Sequence, residues 1–314
     1  MTVSAARKSR ARSAPPKNND RLRVVVATAG DPESVGALWV ASALTAEHAA
    51  EVMALGVSVP FPHTFPSIVT MQSPVAVDEK SRLQVLHEVA ASLHDIPRAD
   101  EWNKAAVVGW PSDAVNNVAA SWNASLIIVG LGQHGRLDRL FGTETAIAVM
   151  KHAKIPVLAV NAEAKALPSH ACIALDFTPA SLAAAEVAAS LLSPTGKLTL
   201  VHACAFEGHA SEPGDLVDLY RAGAKAKLDS AVARIRRRTR VKVEGKMIDG
   251  EPAETVLEFA HREQCDLIAL GGHEQGLIDR VLLGSVRTRV LRSAKCSVLI
   301  APPASVVTHG RNQK

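Results

Sequence analysis

The sequence predicts an α/β protein made of two repeated doubly wound domains, each a five-stranded parallel sheet with helices on both faces. Three observations predict this. The chain overlays on itself at a shift of 141 residues, where 107–160 and 248–301 align without a gap and share 15 identities in 54 positions. Within each repeat, short apolar β-branched runs alternate with stretches of helical period. The apolar runs are continuous rather than alternating, which marks strands buried on both faces, as in a parallel sheet.

The elements follow in order. In the first repeat, strands are expected near 23–28, 52–57, 105–109, 126–129 and 156–160. In the second, "CIALD" (172–176) reads as the opening strand. Helix 179–192 comes next, with Pro179 suited to a first turn. "KLTLVHA" (197–203) is the second strand. A helix near 214–238 places Leu216, Leu219, Tyr220, Leu228, Val232 and Ile235 at helical spacing. "VKVEGKMI" leads to Gly250, and Pro252 opens helix 252–263. "DLIAL", helix 285–294 and "SVLIA" complete the unit. The starts of the repeats pair "VVVAT" (24–28) with "CIALD" at a shift of 148, so the first repeat is expected to carry about seven extra residues, in the Pro-rich loop 59–74. Five parallel strands per repeat direct a ligand to the strand C-terminal ends, near a topological switch.

Composition bounds the function. The chain has 314 residues, 47% hydrophobic and 21% charged, with only 4% aromatic, so the core must be built of Ala, Val, Leu and Ile. The net charge of +4 resides in residues 1–20, which hold five basic residues and one acid; the remainder has 30 of each. A neutral body argues against a nucleic-acid surface. The expected organisation is a disordered basic tail 1–20, domains 21–163 and 168–304, and a disordered tail 305–314. There is no secretory h-region and no apolar run of about 18 residues, so a cytoplasmic protein without a membrane span is expected. Cys172, Cys204, Cys265 and Cys296 form no C-x-x-C pair and read as small buried hydrophobes. The twelve histidines show no metal-ligand spacing, and no metal site is expected. The run "RIRRRTR" (234–240) reads as the charged C-terminal end of a helix.

A glycine-rich junction, "GGHEQGLIDRVLLGS" (271–285), follows "CDLIAL" and precedes a helix. Together with the opening strand ending in Asp, "LVHA", "G-x-P-A" and "CSVLIAP", it resembles the universal stress protein family over about residues 21–304, in its tandem two-domain form. The resemblance implies a Rossmann-like, adenine nucleotide alpha hydrolase-type fold. In the family's nucleotide-binding branch the pattern is G-x-x-G, nine residues, then G-[ST], with glycines and the closing pair around the phosphates. By that resemblance, Asp176 and the backbone at Ala203 would hold adenosine. Gly271, Gly272, His273, Gly284, Ser285 and Val286 would surround the phosphates, and ATP with Mg²⁺ is the implied ligand. Ser285 would cap the following helix and aim its N–H groups at an anion. The alternative for Asp176 is a turn residue at a helix N-terminus. His202 reads as a packed strand histidine.

Departures from the pattern matter. Glu274 replaces the second glycine; a carboxylate about 4 Å from a phosphate costs roughly 4 kcal/mol at an effective dielectric near 20. In the first repeat Thr28 stands in the Asp position, Gln133 in the second glycine's, and Thr143-Glu144 in those of Gly284-Ser285. The first repeat is therefore expected to bind no nucleotide in the usual pose. Asp138-Arg139 and Asp279-Arg280 recur as a candidate loop-steadying pair. No catalytic residue is singled out, and no Walker A or Ser-Gly-Gly-x-Asp-Ser loop occurs. The expected role is ligand sensing or interaction with a protein partner of unknown identity, with a nucleotide-free scaffold as the alternative and weak ATP hydrolysis ranked below both. The resemblance also makes "IPVLAV" and "CSVLIA" sheet-edge strands. Both lie in one chain, so Val157 and Leu158 should face the neighbourhood of Val298 and Leu299 in an intrachain pseudo-dimer, with Pro156 and Pro302 at its limits. That arrangement leaves a homodimer of whole chains open.

Overall fold

The computed structural model describes residues 22–59, 74–132, 143–204, 214–272 and 285–303. In the first repeat β1 (Arg23–Ala27) leads through α1 (Val35–His48) to β2 (Glu51–Ser58), and α2 (Pro74–Ser92) to β3 (Asn103–Val108). Then α3 (Pro111–Ser121), β4 (Leu126–Leu131), α4 (Thr143–His152) and β5 (Val157–Asn161) follow. The second repeat runs β6 (His170–Ala174), α5 (Pro179–Leu191), β7 (Lys197–Cys204), α6 (Gly214–Arg236) and β8 (Lys242–Asp249). It ends with α7 (Pro252–Arg262), β9 (Leu267–Gly271), α8 (Ser285–Ser293) and β10 (Ser297–Ala301).

All ten strands form one sheet in the order β3-β2-β1-β4-β5-β10-β9-β6-β7-β8. Pairing is parallel within each repeat and antiparallel only between β5 and β10. Strand order reverses between β1 and β4, and again between β6 and β9, so each repeat has its own crevice at the strand C-terminal ends.

Alternate residues of each strand serve opposite faces. Val24, Val26, Ile128 and Leu158 join Ile173, Leu200 and Leu299 in one buried cluster under α1, α2, α5 and α6. Val25, Ile127 and Val157 join Ile268, Val298 and Ile300 in the other, under α3, α4, α7 and α8. Both clusters cross the junction of the repeats. The alanines of α5 explain the low aromatic content: Ala180, Ala183, Ala184, Ala185 and Ala188 are buried and let the helix lie close to the sheet. Prolines open α3, α5 and α7 at their first positions.

Several expectations are corrected. Val24 pairs with Leu126 and Ala171 with Leu267. Since Leu126 and Leu267 are 141 apart, Ala171 is the counterpart of Val24, 147 residues on rather than 148. The capping residues agree: Asp31 accepts from the Ser34 N–H at 2.8 Å, and Thr178, 147 residues later, accepts from the Ser181 N–H at 3.2 Å. The first repeat thus carries six extra residues, and the β2–β3 connection, which contains the Pro-rich loop, accounts for five. Leu228, Val232 and Ile235 of α6 are buried, but Leu219 and Tyr220 remain exposed. A 23-residue helix is about 34 Å long against about 26 Å for an eight-residue strand, so the first turns of α6 overhang the sheet.

The basic run at the end of α6 is used internally. Arg234 and Arg238 bind Glu186 of α5 at 2.9 and 2.7 Å, and Arg236 donates to the Val243 carbonyl at 2.8 Å. Cys172 and Cys265 are buried, and burial pushes the Cys172 thiol well above its ordinary value and the Cys296 thiol up to about 12. No helix among the described residues is long and apolar enough to cross a membrane.

At the junction Ala159 pairs with Val298, Leu158 with Leu299 and Val157 with Ile300. Val157 is therefore two residues out of register with Val298. Replacing the directly opposed Leu158 and Leu299 by cysteine should give a crosslink within one chain under mild oxidation, seen as faster migration of the unreduced monomer. Crosslinks found only between chains would place β5 and β10 of one molecule apart.

Candidate functional site

The second crevice is assembled from three strand ends. β6 leads into Leu175, Asp176, Phe177 and Thr178; β7 ends on His202, Ala203 and Cys204; β9 ends on Gly271. Because β9 lies between β10 and β6, the turn after β6 and the end of β9 lie side by side.

Asp176 is a turn residue. Its Oδ1 accepts from the Thr178 N–H at 3.0 Å and the Thr178 hydroxyl at 2.6 Å. Partial burial pushes the carboxyl up, but donors from Ser181 and Thr178 outweigh it and hold the group below the usual carboxylate range. Thr178, not Asp176, is the cap of α5.

Phe177 has φ = 63°, a left-handed conformation that costs a non-glycine residue about 1–2 kcal/mol. Its counterpart at the corrected shift is Gly30, with φ = 71°. The turn is thus common to both repeats, and the phenylalanine is not. The Phe177 ring packs on His202, with centroids 4.4 Å apart, and Lys227 lies 5.9 Å above it. His202 is 8% exposed; its Nδ1 lies 2.8 Å from the Leu175 carbonyl, while Nε2 has no partner among the described residues.

Ala203 lies inside β7, opposite Ile248, and not after the strand, because the β7–β8 ladder continues to Cys204. Gly271 is a site of close approach. A Cβ there would lie 2.6 Å from the Ser181 backbone nitrogen and 2.8 Å from the Ala180 carbonyl carbon. Gly130 meets the matching turn: a Cβ there would lie 2.5 Å from the Glu33 carbonyl oxygen. These glycines let the first turn of the crossover helix sit against the strand end. Gly272 donates its N–H to the Ala301 carbonyl, so that group is not free for an anion. α8 begins at Ser285 itself, so Ser285 is a helical residue rather than the residue before the helix. Val286 is half-buried against the apolar core beneath α8. His273, Glu274, Gly284, Gln133 and both Asp-Arg pairs lie outside the described residues.

Sequence reasoning missed Arg287, the third residue of α8. It is half-buried; desolvation lowers its pKa, opposed by the charge of Asp176. The signal was available on the 141-residue diagonal, where its counterpart is Ala146.

The first crevice has different chemistry. The counterpart of Asp176 is Ala29, not Thr28. Thr28 is wholly buried, and its hydroxyl bonds the Ser34 hydroxyl at 2.9 Å and the Gly30 N–H at 3.1 Å. Glu144, expected at an anion position, instead binds Arg292 of α8 at 2.9 Å across the repeat junction. Among the described residues an acid reaches this crevice in Glu33, whose carboxylate would be struck by a Cβ on Gly132. Its counterpart in the second repeat is Ala180. An acid in a helix's first turn is so common that Glu33 carried no signal by itself.

The sequence pattern of the universal stress protein family matches residues 21–161 and 169–302. The chain belongs to the universal stress protein family. A Methanocaldococcus jannaschii universal stress protein is 42% identical over 60 residues, 19% of this chain and 35% of that one. A Mycolicibacterium smegmatis universal stress protein is 29% identical over 193 residues, 59% of this chain and 64% of that one. The matched segments thus span about a third and just under two thirds of these relatives. A solved universal stress protein from Archaeoglobus fulgidus superposes with a TM-score of 0.59 at 16% identity, covering 90% of this chain and 96% of that one. That likeness is one of fold.

The close approach at Gly271 is testable. Gly271→Ala should lower stability by about 1–3 kcal/mol, read as a lower urea midpoint, since a Cβ must displace backbone of α5. An unchanged midpoint would mean that α5 withdraws freely.

Proposed function

We propose that the second repeat binds one adenine nucleotide, and that the protein is a cytoplasmic ligand-sensing module rather than a turnover enzyme. The side chains particular to the second crevice carry this reading: Asp176 stands where the first has Ala29, and Arg287, in the first turn of α8, stands where the first has Ala146. A cation there attracts an anion.

Asp176 would face the ribose or base. With the Gly272 N–H engaged by Ala301, the unsatisfied N–H groups of the first turn of α8 would face the phosphates. Mg²⁺ would arrive with ATP, since no cluster of metal-ligating side chains occurs among the described residues. A nucleotide-free scaffold is the second reading, favoured by the Asp176 carboxylate already bonded to Thr178.

Calorimetric titration of the nucleotide-stripped chain with ATP and Mg²⁺ should give about one site per chain. Two sites, or none, would overturn the reading. Glu274→Gly should raise ATP affinity roughly tenfold or more by removing a like charge, and thermal stabilisation by ATP should grow with it. An unchanged affinity would show that the Glu274 carboxylate points away from the ligand.

A further inference from the structure

The connector between the repeats closes a cavity of about 180 Å³ over their junction. Residues 162–169 lead from β5 into β6, and the stretch from Ala164 to Pro168 forms the outer wall. The inner wall comes from both repeats. Val40 of α1 and Leu158 of β5 belong to the first, Asp266 and Ser297 to the second. The cavity therefore lies at the N-terminal ends of β9 and β10, the opposite end of the sheet from the second crevice. An apolar cavity of about 150 Å³ takes a molecule of benzene's size, so this one has room for about six to nine non-hydrogen atoms.

Val40, Leu158 and Leu167 are buried and make the chamber apolar. Three polar side chains join them, and they are not equivalent. Asp266 is already bonded within the protein: it accepts from the Ser169 N–H at 2.8 Å, the Ser169 hydroxyl at 2.7 Å and the His170 N–H at 3.0 Å. Ser297 is buried, and its Oγ accepts the Asn161 N–H at 3.2 Å. The proton of that hydroxyl has no acceptor among the described residues, and a buried donor left unused is costly. Lys165 both lines the cavity and is exposed, which sets it at the opening, and it makes no ion pair among the described residues. The chamber thus combines apolar walls with two unused donors, one of them cationic, while its carboxylate is occupied.

We propose that the junction cavity binds a small aliphatic carboxylate of about four to six carbons. Its apolar body would lie against Val40, Leu158 and Leu167, and its oxygens would accept from the Ser297 hydroxyl and the Lys165 ammonium. An ammonium ligand would leave both donors without an acceptor and would face a carboxylate that three donors already surround. The site is separate from the nucleotide reading above and touches both repeats and their connector at once.

The test uses the full chain and four ligands with a similar apolar body: isovalerate, the neutral isovaleramide, the cationic isopentylamine and the zwitterion valine. Isovalerate should shift the methyl NMR signals of Val40, Leu158 and Leu167 with a Kd on the order of 0.1–1 mM, as suits so small a ligand. Each of the other three should bind at least about fivefold more weakly. Lys165→Met, an exposed change that keeps the apolar stem, should weaken isovalerate about three- to tenfold, and high salt should bring wild type toward the variant. Ala164→Leu, which fills the chamber from its wall, should abolish the shifts. No methyl shift with isovalerate, shifts confined to residues outside the cavity, or equal or tighter binding of the amide, the amine or valine would each overturn the proposal. So would unchanged binding by Lys165→Met or by a folded Ala164→Leu. If Ala164→Leu does not fold, the comparison of Lys165→Met with wild type decides.

Discussion

The antiparallel pairing of β5 with β10 is the contact on which the architecture depends. A five-stranded repeat ending on an apolar strand would leave unpaired N–H and C=O groups along a flat edge. Here each repeat covers the other's edge, through Val157–Ile300, Leu158–Leu299 and Ala159–Val298. Ten strands become one sheet, and both apolar layers run through the junction without a break. Around the strands, Asn161 donates to the Lys295 carbonyl at 2.9 Å and Glu144 meets Arg292. These polar contacts are exposed and contribute little to stability, so they set alignment more than strength.

Within that symmetric frame the two crevices have diverged at a few positions. Both keep the glycine at the end of the fourth strand, because both crossover helices approach it closely. Both keep the left-handed turn, as Gly30 in one and Phe177 in the other. What differs is the side-chain chemistry set on that common backbone. The first crevice has an internal carboxylate and a buried hydroxyl network of Thr28 and Ser34. The second has an aspartate, a tilted Phe177–His202 ring pair and a half-buried guanidinium. The two repeats thus share a backbone and differ in the side chains set on it.

The repeat and its covered parallel sheet were legible because they rest on periodicity, whereas the edge strands followed from the family resemblance and their pairing within one chain from covalent linkage. Apolar runs of strand length cannot be satisfied outside a covered parallel sheet, and two edges in one chain stay at high effective concentration. The errors were local. An ungapped reading of β1 against β6 slipped by one residue, since Val, Ala and Cys in a buried strand are nearly interchangeable. Only the ladder, with Val24 on Leu126 and Ala171 on Leu267, removed the slip and revealed Ala29 rather than Thr28 opposite Asp176.

The sequence by itself determined which residues are available: the Asp176 turn, the glycines, the absence of an acid at Ala180 and the presence of one at Glu33. Tertiary structure alone decided how each is used. It tied Asp176 to Thr178, turned Glu144 toward Arg292 and committed the Gly272 N–H to Ala301. The reason is that hydrogen bonds and ion pairs depend on distances of a few ångströms between segments far apart in the chain. Hydrophobic period records which face a residue takes, but it carries no information about which polar group arrives opposite it.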